Sequence, residues 1–68
     1  MLRRFEFTSN KKRYRAHVVP FPPDGGPSFW YVSVENGPRY KLMEASAEDV
    51  PGEALETRLV EAYARLQE

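Results

Sequence analysis

The sequence predicts a small α+β domain in which a four-stranded antiparallel sheet, a ββββα meander, carries one C-terminal helix packed on one face. Four short segments alternate apolar and polar residues, which is typical of half-buried strands. The last third of the chain has apolar residues at helical spacing instead. The 68 residues contain no linker long enough to divide them, so we expect a single two-layer domain over residues 1–68.

The first two predicted strands form a hairpin. They cover about residues 2–8 and 13–19, and the polar residues between them supply the turn. Centring the turn on Asn10 and Lys11 gives a register in which every pair is chemically matched. The pairs are Phe7 with Tyr14, Phe5 with Ala16, and Glu6 with Arg15.

A loop rich in proline and glycine is predicted over residues 20–28. Its four prolines lack backbone donors, and the Asp24–Gly26 stretch favours a turn. One interpretation is a polyproline-like segment that a partner binds. The other, which we favour, is a stiff connector whose Phe21 packs onto the domain.

The third and fourth strands are predicted at about residues 29–35 and 39–45. The Asn36-Gly37 dipeptide is typical of a two-residue hairpin turn, but such a turn would place Arg39 and Lys41 on the apolar face. A loop of three or five residues keeps the faces in phase and is the register that we predict. It pairs Val34 with Tyr40, Val32 with Leu42, and Tyr31 with Met43.

The C-terminal helix is predicted over about residues 52–67. Pro51 suits a first turn and no later position, and the preceding Ser46–Asp49 stretch resembles a cap or a separate short turn. The apolar stripe consists of Leu55, Leu59, Ala62, Tyr63 and Leu66. It should cover the apolar face of the sheet, made of Phe5, Phe7, Tyr14, Ala16, Val18, Trp30, Val32, Val34, Tyr40 and Leu42.

The opposite face of the sheet is the candidate functional surface. It should combine cations with an aromatic ring, and the candidate anion-binding or nucleic-acid-binding residues are Arg4, Arg13, Arg15, His17, Tyr31, Arg39 and Lys41. Phosphates would bind the cations while bases stack on the ring. The alternative is that an uncovered sheet face is simply polar, with Glu6 and Glu35 as counter-charges.

Charge is segregated along the chain although the net charge is zero. Residues 1–17 carry six Lys or Arg against one acid, and residues 44–68 carry seven acids against two Arg. Such asymmetry indicates either an anion-binding face or two ends of the chain that attract one another in the fold.

Composition argues against several functions. The chain has no cysteine and one histidine, so we expect no disulfide, no metal site and no cofactor. No nucleophile has a spacing that ties it to His17, so we expect no enzyme. There is no signal peptide and no apolar span, which predicts a cytoplasmic protein without membrane contact.

The function that we predict first is a small non-enzymatic protein-interaction module, with self-association as one form of it. Four residues outside the predicted core, Val19, Phe29, Tyr31 and Met43, could form an apolar strip for a homodimer. Alternatively, the proline-rich loop covers them. Nucleic-acid or polyanion binding through the basic sheet face is the second prediction.

Overall fold

The computed structural model describes residues 3–67 and contains four strands followed by one helix. The elements are β1 Arg4–Ser9, β2 Lys12–Val19, β3 Phe29–Val34, β4 Arg39–Leu42 and α1 Glu53–Leu66. The strands pair antiparallel in the order β1-β2-β3-β4. The predicted α+β meander is therefore confirmed. The predicted first strand also included residue 2, which lies outside the described residues, and β4 ends three residues earlier than predicted.

The register of the β1–β2 hairpin is confirmed in every predicted pair. Phe7 lies opposite Tyr14, and Glu6 lies opposite Arg15. The two turn residues, Asn10 and Lys11, have φ values of 52° and 65°. A two-residue turn with both residues in the left-handed region matches the twist of the strands it joins.

The predicted β3–β4 register is wrong by two residues. Val32, rather than Val34, lies opposite Tyr40, and Tyr31 lies opposite Lys41 instead of Met43. Leu42 correspondingly pairs with Trp30 instead of Val32. A shift of two residues leaves every side chain on its predicted face, because side chains alternate with a period of two.

A local turn and a contact from the helix together hold this register. The Gly37 N–H donates to the Val34 carbonyl over 2.8 Å, so the chain turns earlier than predicted. Asn36 takes a left-handed conformation with φ 61°. The hydroxyl of Tyr63 donates to the Pro38 carbonyl over 2.5 Å, which ties the β3–β4 loop to the helix.

Between β4 and the helix, a turn over Ser46–Asp49 is anchored to the sheet. The indole Nε1 of the fully buried Trp30 donates to the Ser46 carbonyl over 2.8 Å. The Ala47 N–H donates to the Ser28 hydroxyl over 2.9 Å. Within the turn, the Ser46 N–H donates to the Asp49 carboxylate over 2.7 Å.

The helix buries one stripe against the sheet, consisting of Leu55, Leu59, Ala62 and Tyr63. The prediction that Leu66 belongs to this stripe is wrong, since its side chain is 50% exposed. Leu66 is the last residue of the helix. The buried stripe ends one turn earlier at Tyr63, which contacts the β3–β4 loop. All ten sheet residues expected under the helix belong to the core or pack against it.

Candidate functional site

The strand register brings all seven candidate residues onto the sheet face that the helix does not cover, here called the outer face. One row across the strands consists of Arg4, His17, Tyr31 and Lys41. The next row consists of Glu6, Arg15, Ser33 and Arg39. Arg13 lies beyond it, opposite Thr8 on β1. Neighbouring strands are about 4.8 Å apart, so each row is about 14 Å long from β1 to β4.

An open groove of about 620 Å³ runs over the middle of this face. Arginines from three strands line it, and its lining consists of Arg4, Phe5, Glu6, Arg15, Ala16, His17, Tyr31, Ser33 and Arg39. A smaller groove of about 270 Å³ adjoins it and is lined by Arg13, Arg15, Ser33, Val34, Glu35 and Asn36. Arg15 and Ser33 border both grooves, so the two form one continuous surface.

Two cations of β4 stack on aromatic rings of β3. The guanidinium carbon of Arg39 lies 4.6 Å from the centroid of the Tyr31 ring. The Lys41 Nζ lies 4.4 Å from the centroid of the Phe29 ring. Such contacts are favourable because the ring face carries partial negative charge. A base that stacked on this face of Tyr31 would have to displace Arg39 first.

The residues of the predicted apolar strip on the outer face are mostly covered by neighbouring side chains. Phe29 is only 6% exposed, with Lys41 on its face and Tyr31 at right angles, their ring centroids 5.1 Å apart. Val19 is partly buried, whereas Met43 is 50% exposed. Little apolar area is therefore left for a dimer built on this strip.

Ion pairs within residues 3–67 do not join the basic and acidic parts of the chain. The Glu6 carboxylate lies 3.2 Å from the Arg15 Nε, on the outer face. The other two pairs lie within residues 44–68 and join Arg58 with Asp49 over 2.9 Å and Arg65 with Glu44 over 3.5 Å. Of the candidate cations on the outer face, Arg15 therefore has an ion-pair partner among the described residues.

His17 lies at the centre of the groove lining, opposite Arg4 on β1 and Tyr31 on β3. Its ring centroid is 6.3 Å from that of Tyr31. The Nε2 atom is buried and has no hydrogen-bond partner among the described residues. Within residues 3–67, no three His, Cys, Asp or Glu side chains are grouped as a metal ion would require.

Two side chains of the described residues have a shifted pKa, and both support the fold. The hydrogen bond from the Ser46 N–H lowers the pKa of Asp49, and the Arg58 guanidinium contributes in the same direction. Burial raises the pKa of Tyr63. Neither side chain lies on the outer face, so these shifts bear on stability.

Ser33 belongs to the site although it was not among the candidate residues. It lines both grooves, and its alternating position on β3 was a signal that could have included it.

The proline-rich loop does not pack as predicted. Phe21 was expected to pack onto the domain, but this is wrong because the residue is 85% exposed. The loop instead closes on itself, with hydrogen bonds from the Gly25 N–H to the Pro22 carbonyl and from the Gly26 N–H to the Asp24 carboxylate.

The fold and the site together define a two-layer α+β protein with one covered and one open sheet face. Comparison with protein-family models, with curated proteins and with solved structures found no match. In the part of the chain that the structure describes, the helix is too short and too polar to cross a membrane.

Proposed function

We propose that this protein is a small non-enzymatic interaction module that binds an acidic segment of a protein partner on the outer face of its sheet. The observation that carries the proposal is the groove with arginines from three strands, Arg4, Arg15 and Arg39. The acid in that lining, Glu6, is already paired with Arg15. Guanidinium groups bind carboxylates through paired hydrogen bonds, so an acidic segment is chemically complementary to this surface.

The contact of Arg39 with Tyr31 favours a protein partner over nucleic acid. Binding single-stranded nucleic acid on a sheet depends largely on aromatic rings that are free to stack with bases. The ring of Tyr31 already has a guanidinium on one face. Carboxylates need no stacking partner, and they meet the edge of that guanidinium without displacing it.

Single-stranded nucleic acid or another polyanion is the second candidate ligand. It is favoured by one observation, the presence of Tyr31 among the groove arginines. Planar guanidinium groups can themselves stack on bases. Affinity for such a ligand would fall steeply with salt, since each neutralised phosphate releases counterions.

We also propose a second copy of the chain as a protein partner, and the cytoplasm as the compartment of this protein. The absence of cysteine from the sequence supports this compartment. Size-exclusion chromatography with light scattering across a concentration series measures self-association directly. A mass that stays at 7.9 kDa over the whole series would contradict a homodimer.

The test of the proposed function is a titration of the protein with three labelled probes at low and moderate salt. They are a glutamate-rich peptide, a neutral peptide of equal length and a single-stranded oligonucleotide. We expect the glutamate-rich peptide to bind and Arg15→Ala to weaken it. Arg65→Ala is the matched control, because Arg65 is also exposed and ion-paired but lies on the helix. Equal weakening by both variants, or no binding of the acidic peptide, would contradict the proposal.

A further inference from the structure

We infer that the groove over β2 binds a phosphorylated side chain of the protein partner. This inference rests on the proposed function, because it names the acidic group that the outer face recognises. The phosphate site lies in the larger groove and is formed by Arg4, Arg15, Arg39 and the Ser33 hydroxyl.

The arginines of the groove come from three different strands. Arg4 belongs to β1, Arg15 to β2 and Arg39 to β4, so guanidinium groups border the groove from both sides. A carboxylate carries one negative charge and is matched by one guanidinium. A phosphate monoester carries about −1.5 to −2 at neutral pH and has three acceptor oxygens. It is therefore the side-chain anion that several arginines can share.

One of the groove arginines is already oriented. The guanidinium carbon of Arg39 lies 4.6 Å from the centroid of the Tyr31 ring. A side chain that is already restrained loses less conformational entropy when a ligand binds. The groove volume of about 620 Å³ also exceeds that of one phosphate group, which leaves room for the peptide that carries it.

The groove lining also contains a nitrogen without a hydrogen-bond partner. The Nε2 atom of His17, in the same lining, is without a partner in residues 3–67. A buried polar atom without a partner is costly. Where Nε2 carries the proton, a phosphate oxygen is an acceptor suited to its N–H.

A phosphodiester ligand fits these features less well. Each linking phosphate of a nucleic acid carries a single charge, so its affinity comes from many phosphates and from base stacking. One face of the Tyr31 ring, on which a base would stack, is covered by Arg39. The concentration of arginines around one groove instead suits a single doubly charged group.

The experiment compares four labelled probes by fluorescence anisotropy at one moderate salt concentration. Three are peptides identical except at one position, which holds phosphoserine, glutamate or serine, and the fourth is an oligothymidine. We expect the phosphoserine peptide to bind about tenfold or more tightly than the glutamate peptide, the size of one further charge-assisted hydrogen bond. Arg15→Ala and Arg39→Lys should each remove most of that preference, while Arg65→Ala should retain it.

The outcomes separate the inference from the proposed function. Equal binding of the phosphoserine and glutamate peptides would overturn the inference and leave the acidic-partner proposal standing. Tightest binding of the oligothymidine would overturn both in favour of nucleic acid. No binding of any probe would overturn both as well. If Arg65→Ala also lost the preference for the phosphoserine peptide over the glutamate peptide, the preference would come from long-range attraction, and the inference would be overturned. Melting curves that match wild type show that each variant is folded in this comparison.

Discussion

The guanidinium carbon of Arg39 lies over the Tyr31 ring, 4.6 Å from the ring centroid. The two residues are diagonal neighbours on paired strands, since Arg39 lies opposite Ser33 and Tyr31 lies opposite Lys41. This contact places a cation at the edge of the groove and covers one face of the Tyr31 ring.

The Arg39–Tyr31 contact predicts different results for the two candidate ligands. If the ligand is an acidic peptide, Tyr31→Ala should weaken binding only a few-fold, because the ring merely orients Arg39. If the ligand is single-stranded nucleic acid, the same change should remove about 1–3 kcal/mol of stacking. Anisotropy titrations of wild type and Tyr31→Ala with both probes give the answer. If Tyr31→Ala also weakens peptide binding by about 1–3 kcal/mol, the ring does more than orient Arg39.

The centre of the helix stripe should be the position most sensitive to truncation. Leu59 is fully buried, so Leu59→Ala should lower the free energy of unfolding by about 2–5 kcal/mol. Leu66→Ala is the matched control, because Leu66 is in the same helix and half exposed. Its effect should stay near about 0.5 kcal/mol. Urea unfolding of both variants measures the difference, and similar losses would show that the stripe is assigned incorrectly.

Alkaline pH should destabilise the domain through Tyr63. Burial raises the pKa of Tyr63 in the folded state above its ordinary value of 10.0, so folding favours the neutral hydroxyl. That stability is fully present below pH 10 and is lost as pH rises through the higher folded pKa. Tyr63→Phe should remove this alkaline loss, and it should cost about 0.5–1.5 kcal/mol at neutral pH because the Pro38 carbonyl loses its donor.

Melting temperatures between neutral and alkaline pH test the assignment to Tyr63. Tyr31→Phe is the control, since it changes a tyrosine on the outer face and leaves the Tyr63–Pro38 hydrogen bond in place. An alkaline loss that persists in Tyr63→Phe would assign the effect to another group.

Acidic pH should destabilise the turn that precedes the helix. The Ser46 N–H and Arg58 lower the pKa of Asp49 below its ordinary value of 3.8, so folding favours the carboxylate. Its contribution is present above that ordinary value and is lost as pH falls through the lower folded pKa. Asp49→Asn should therefore flatten the acid side of the stability curve, whereas Glu53→Gln, at an exposed position, should not. Parallel curves for wild type and Asp49→Asn would contradict this role.

Much of the site was predictable from local pattern. The polar turn and the alternation around it correctly placed Glu6 opposite Arg15, and the structure shows them as an ion pair at 3.2 Å. Alternation along each strand also indicated which side chains share the outer face. The exposed position of Phe21 was not predictable, because proline content shows that a segment is irregular without showing what it contacts.

The sequence by itself determined the order of the elements and the face on which each strand residue lies. These follow from covalent geometry, since successive side chains of a strand point to opposite faces. Only the tertiary structure decided that Val32, and not Val34, lies opposite Tyr40. Sliding one strand by two residues preserves both faces, so alternation cannot choose between the registers. The choice depends on contacts with distant residues such as Tyr63, whose hydroxyl holds the loop at Pro38, and the same choice puts Arg39 over Tyr31.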